Sequence, residues 1–156
     1  MYPIYFKMNE VHILASEADF QKVSSAFQNY LDNILKVTDT VCFLLSGHMG
    51  AGKTTFVREI LKSMGSKDQV NSPTFNLHQT YEAKNTIIHH FDLYRIHEEE
   101  EIFQLGFEEL WGKEGISFIE WWDRASHLLP KEHCYEILIY SNHPEVREYI
   151  FREKKL

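Results

Sequence analysis

Phe20, Val23, Phe27, Leu31 and Ile34 recur at spacings of three and four, which puts them on one side of a helix. Ser16, with Asp19 three positions on, reads as the cap of that helix. Residues 40–45 form a continuous apolar run, too short for a helix and partly β-branched and aromatic, so a buried strand is predicted there. Helical spacing returns in Phe56, Val57, Ile60, Leu61 and Met64. It stops at Gly65, a residue suited to a left-handed C-terminal cap.

Further on, Phe75, Leu77, Gln79 and Tyr81 alternate with their neighbours, residues 82–85 are turn-like, and residues 86–92 are strand-like again. A hairpin or two neighbouring strands is predicted. Residues 98–105 form a short helix whose acidic first turn suits the positive end of its dipole, with Gly106 to end it. Residues 116–122 are another apolar strand. Residues 135–140 and 146–151 flank Ser141-Asn142-His143-Pro144, a turn-forming connection that predicts a closing hairpin. With no repeat, linker or low-complexity tract, the expectation is one α/β domain over residues 1–156. Its three layers would enclose a mainly parallel central sheet with antiparallel hairpins at the edge.

Composition supports a fully folded chain: 44% of its 156 residues are hydrophobic and 14% aromatic, where disordered chains are poor in both. The formal net charge of -7 repels a nucleic-acid backbone, and Lys154-Lys155 is no basic patch, so tight direct nucleic-acid binding is not expected. Cys42 and Cys134 each fall inside an apolar run, where a thiol packs as a small hydrophobe, and they form neither a metal motif nor a disulfide framework. Without an 18-residue apolar run or a basic start leading into one, the expectation is a cytoplasmic protein with no membrane contact.

Chemistry enters with Gly47-His48-Met49-Gly50-Ala51-Gly52-Lys53-Thr54, which satisfies the phosphate-binding pattern G-x-x-x-x-G-K-[ST] between a predicted strand and a predicted helix. Glycines there let backbone N–H groups curl around a phosphate, and the helix start adds its dipole. Lys53 would reach the β and γ phosphates, the Thr54 hydroxyl would ligate Mg²⁺, and Thr55 would hold the α phosphate. ATP with Mg²⁺ is the predicted ligand pair. Phosphoryl transfer also needs an acidic group near the metal, and three carboxylates compete: Glu120, which ends the apolar run 116–119, Asp92, which ends the run 87–91, and Asp123, which reads more as a helix cap.

Ser72-Pro73-Thr74-Phe75, His90-Phe91-Asp92-Leu93-Tyr94-Arg95, the acidic stretch leading to Gly106, and Glu120-Trp121 follow the loop in that order. In this succession, from about residue 42 to residue 124, the chain resembles the TsaE family, formerly YjeE. The resemblance implies an ATPase of the bacterial threonylcarbamoyladenosine tRNA modification system, acting with TsaD-like and TsaB-like partners and never touching the transferred group. It implies further that Thr54 and Glu120 hold Mg²⁺, that Asp92 lies near the γ phosphate and is needed for hydrolysis, and that Trp121 packs beside the nucleotide. Ser72, Pro73 and Thr74 match the family's switch-like loop, whose hydroxyls sense the γ phosphate. Tyr94 and Arg95 match too, although Arg95 could equally pair with Glu98 to Glu101. His48-Met49 departs from the family's usual acidic or polar residue and leucine, at positions expected to point away from the phosphates.

Other readings are weaker. A small-molecule kinase normally closes cationic groups over the donor phosphates, and the chain has only five arginines with no paired lid cluster. A GTPase would show Asn-Lys-x-Asp and Asp-x-x-Gly runs, and neither occurs. A binding module without turnover stays open, as does base recognition, for which the loop before the first helix is the candidate. His89 and His90 would point to opposite faces of a strand, which argues against their joining Asp92 in a transition-metal site.

Overall fold

Val41–Ser46 (β3) is buried almost throughout because it lies inside a sheet with apolar layers on both faces. The computed structural model describes residues 3–7, 9–71, 73 and 75–156, so Ser72 and Thr74 of the expected switch lie outside the described residues. The other strands are Ile4–Lys7 (β1), Glu10–Ala15 (β2), His78–Ala83 (β4), Thr86–Asp92 (β5), Ile116–Glu120 (β6), Cys134–Tyr140 (β7) and Arg147–Glu153 (β8). They form one sheet in the order β1-β2-β8-β7-β3-β6-β5-β4. The four central strands β7, β3, β6 and β5 run parallel. Antiparallel partners extend both edges.

Helices Phe20–Ile34 (α1) and Lys53–Ser63 (α2) cover one face. Their buried stripe of Val23, Phe27, Leu31, Phe56, Val57 and Ile60 meets Val41, Phe43, Ile116 and Phe118 of the sheet. Phe27 makes edge-on ring contacts with Phe43, Phe56 and Phe151, an arrangement that favours aromatic quadrupoles. Helix Glu99–Leu105 (α3) and the irregular segments after it supply the third layer, where Ile102, Phe107, Trp111 and Leu129 pack on Leu44, Phe91 and Ile119. The α/β sandwich expected from the residue pattern is thus the observed architecture.

Local signals account for most boundaries. Gly65, at φ 82°, ends α2 by donating to Lys62 O while Ser66 N donates to Leu61 O. Glu101 accepts from the backbone N–H groups of His97 and Glu98 to start α3, and Gly106 closes it at φ 69°. Three boundaries differ from expectation. Phe75 is 82% exposed and Leu77 sits at φ 61°, so the strand begins only at His78. Strand β6 stops at Glu120 because Trp121 turns left-handed at φ 57°. Ser16 does not cap α1: its hydroxyl donates to the Asp19 carboxylate, and a 3-10 turn, Glu17–Asp19, precedes the helix. The hairpin β1–β2 was not expected at all.

Candidate functional site

Parallel strands deliver their carboxyl ends to one edge of the sheet, and there β5, β3 and β6 line up in register, with Asp92 opposite Glu120 and Leu45 opposite Glu120. Alternation then puts the Asp92 and Glu120 side chains on the face that carries α2. The loop 47–52 leaves β3 into the same corner. A Cβ on Gly47 would lie 2.8 Å from the carbonyl oxygen of Ile139, so only glycine lets the loop pass β7 this closely. Gly50 and Gly52 take φ of 81° and 105°, the left-handed turns that bend the backbone into a cradle.

Lys53 opens α2 and folds back over the loop, its Nζ donating to Gly47 O (2.7 Å) and His48 O (3.1 Å). The same Nζ lies 4.6 Å from the centre of the Trp121 ring. Burial lowers the Lys53 pKa from the usual amine value, and the negative charges of Glu120, Asp92 and Asp123 pull it back up. One residue on, Thr54 Oγ1 donates to Glu120 Oε1 at 2.8 Å. Glu120 is 3% exposed, and its Oε1 also accepts from His90 Nε2 at 2.7 Å. Asp92 is nearly as buried, and its Oδ1 accepts from the Tyr94 backbone N–H at 3.0 Å.

A cleft of about 380 Å³ opens over these groups, within the usual size of a ligand site. Gly50, Gly52, Lys53, Thr54, Thr55, Asp92, Glu120 and Trp121 line it, joined by Met49 and Tyr94. Gly47 and Ala51 do not line it; Gly47 packs behind it on β7, and Ala51 is wholly buried. Asp123 is not a cap, since Trp121 holds that position; it borders a smaller cavity shared with Lys53 and Trp121. Thr74 lies outside the described residues. Arg95 stacks its guanidinium 4.8 Å from the Phe75 ring. A larger groove sits at the β4–β5 turn, among Asp68, Lys84 and Glu114, away from every motif residue.

The segment ahead of α1, expected as a loop near the base, is instead β2 followed by the 3-10 turn. It meets the phosphate loop through Arg147 of β8, whose Nη1 lies 3.6 Å from Glu17 Oε1 and whose Nε donates to Ala51 O at 2.9 Å. Sequence reasoning missed Arg147, which is 96 positions from Ala51 and carries no local motif. It also gave His90 no role. His89 and His90 do diverge: His89 Nε2 bonds Glu114 on the far face while His90 reaches Glu120.

Chemically the cleft combines a left-handed glycine cradle, a helix start, the Lys53 ammonium, the hydroxyl residues Thr54, Thr55 and Tyr94, and two buried carboxylates. The Thr54 hydroxyl and the carboxylates of Glu120 and Asp92 are hard oxygen donors, a set that fits Mg²⁺. Among the described residues there is no group of three or more His, Cys, Asp or Glu that could hold a metal ion. No helix among the described residues is long and apolar enough to cross a membrane.

A family model described as "Threonylcarbamoyl adenosine biosynthesis protein TsaE" matches residues 14–149. A tRNA threonylcarbamoyladenosine biosynthesis protein TsaE from Rickettsia conorii is 47% identical over 120 residues, 76% of this chain and 65% of the relative. The match to that relative thus spans less than two thirds of its length. The protein of the same description from Bacillus subtilis is 35% identical over 107 residues, 69% of this chain and 66% of that one. Among solved structures, the crystal structure of YdiB from Bacillus subtilis superposes with a TM-score of 0.65 over 97% of this chain and 87% of that chain, at 20% identity, which shows the shared fold. With its phosphate loop and strand-end carboxylates converging on one cleft, and with these matches over most of its length, the chain belongs to the TsaE family of threonylcarbamoyl adenosine biosynthesis proteins.

Proposed function

We propose that this chain binds ATP with Mg²⁺ in the cleft, hydrolyses it slowly, and uses the change as a switch on TsaD-like and TsaB-like partners in threonylcarbamoyladenosine modification of tRNA. The observation that carries the reading is the convergence of Lys53, Thr54, Asp92 and Glu120 on one cleft from α2, β5 and β6. Loop N–H groups and the α2 start bind the phosphates, and Thr55 holds the α phosphate. Lys53 Nζ exchanges its two loop carbonyls for the β and γ oxygens, an exchange helped by the recovery of a full charge partner in a partly dry site. Thr54 and Glu120 would hold Mg²⁺, which when bound neutralises charge developing on the phosphoryl oxygens. Asp92, on the neighbouring strand, orients the attacking water and accepts its proton. Trp121 walls the cleft beside Lys53.

Slow turnover is expected because, among the described residues, a single ammonium lines the cleft and no arginine does. A docked partner can supply the missing order or charge, and loss of the γ phosphate then releases it. The net charge of -7 suits docking on proteins better than on tRNA. The test is Mg²⁺-dependent ATP turnover by the purified chain, alone and with the TsaD-like and TsaB-like proteins of the same source. Slow turnover that rises with the pair supports the switch. ADP release stimulated only by a small-molecule acceptor would replace it with the kinase reading.

A further inference from the structure

His90 is wholly buried among the apolar residues of β5 and β6, between Ile88 and the aligned Phe118. Its Nδ1 has no hydrogen-bond partner, a cost that an aromatic hydrocarbon of similar size would not carry. The other ring nitrogen accounts for the histidine. Nε2 lies 2.7 Å from Glu120 Oε1, and because a carboxylate only accepts, Nε2 is the donor. Thr54 Oγ1 donates to the same oxygen at 2.8 Å. Two donors from different elements thus converge on Oε1, one from the core side and one from α2, and fix the Glu120 carboxylate in a single orientation. Without His90 the carboxylate would keep, among the described residues, only the Thr54 contact and could rotate about its own bonds.

We propose that His90 is a positioning residue: its Nε2–H holds the Glu120 carboxylate in the orientation that receives the divalent cation accompanying the nucleotide. The inference rests on the assignment of Glu120 to that cation. Outer partners of this kind typically change metal affinity by about 10- to 100-fold when removed. The effect is on the cation requirement and passes through Glu120, since His90 does not line the cleft.

His90→Met removes the donor at similar length, and His90→Gln keeps an N–H near the place of Nε2. With each folded variant saturated with ADP, free Mn²⁺ is followed by electron paramagnetic resonance to give the half-saturation concentration. Glu120→Gln is titrated in parallel. The expected result is a rise of about 10-fold or more in His90→Met, with His90→Gln restored to within about threefold of the parent protein. Equal shifts in both His90 variants overturn the proposal, because the donor would then be irrelevant. An unshifted His90→Met beside a shifted Glu120→Gln overturns the role of His90 and leaves that of Glu120 standing. If Glu120→Gln is also unshifted, the assignment of Glu120 to the cation fails with it.

Discussion

Lys53 Nζ lies 4.6 Å from the centre of the Trp121 ring while bonded to the carbonyls of Gly47 and His48. The ammonium proposed to meet the phosphates is therefore also a close electrostatic neighbour of a fluorophore. Drawing Nζ toward a nucleotide changes the field at that ring. Titration with ADP and Mg²⁺ is expected to change tryptophan emission, and Trp121→Phe to remove most of the change although Trp111 and Trp122 remain. An undiminished response in Trp121→Phe would place the reporter elsewhere.

Removing the ammonium would leave the proposed phosphate site with the loop N–H groups, the helix start and the Thr55 hydroxyl. Lys53→Ala is expected to weaken ATP binding by about 100-fold, close to 2.7 kcal/mol. Calorimetric titration checks it, and near-parental affinity would sink the assignment of the loop.

In the proposed reading Asp92 serves the chemical step more than grip. Asp92→Asn keeps the shape and the acceptor for the Tyr94 N–H, so affinity is expected to stay within about threefold while single-turnover hydrolysis falls by about 100-fold. Unchanged hydrolysis would remove Asp92 from the mechanism.

Gly47 has no room for a methyl group, because a Cβ would stand 2.8 Å from Ile139 O and 3.0 Å from the Ala51 Cβ. Gly47→Ala is expected to cost about 1–3 kcal/mol in urea unfolding and to displace the loop. A stability equal to that of the parent would show that β7 gives way easily.

Acid should weaken the fold through the pair His78 and His89, whose Nε2 and Nδ1 are 2.9 Å apart. Burial, with repulsion from His89 and His90, brings His78 down to about 4, and burial lowers His89 as well. Both therefore protonate less readily in the folded state than in the unfolded chain, where the value is about 6.5. The unfolded chain takes up more protons as pH falls, so stability present above about pH 6.5 is lost on the way down to about pH 4. For the half-buried His78 the loss is about 3 kcal/mol or less. His78→Phe, which can keep the stack on Phe91, is expected to flatten the fall in urea midpoint between about pH 7.5 and about pH 5. An identical slope in the variant would move the effect to other groups.

Much of this site could be seen in the sequence because its signals are local. The glycine loop, Lys53 and Thr54 are contiguous, and a carboxylate that ends an apolar run marks the carboxyl end of a strand wherever the sheet is parallel. What could not be seen was pairing at long range. Val11, Ile13 and Ala15 do alternate, but a run this short becomes a strand only by pairing with β8, where Val11 lies opposite Phe151. The alternation through Phe75 and Leu77 was genuine and misleading, since Leu77 turns left-handed and leaves Phe75 in solvent. His90 looked like one residue of a motif, and its partner Glu120 is 30 positions away.

The bond from Thr54 to Glu120 spans 66 positions of chain, and those two residues come together only once β3 and β6 are paired. A chain with that pairing undone has the phosphate loop but lacks half of the site around it. A nucleotide bound as proposed would therefore recognise the completed sheet, and mass action would turn recognition into stability: at one hundred times its dissociation constant a ligand adds about 2.7 kcal/mol to the native state. Where nucleotide is plentiful, the resting form of this protein would be the liganded one, and emptying the site would loosen the junction between β3 and β6.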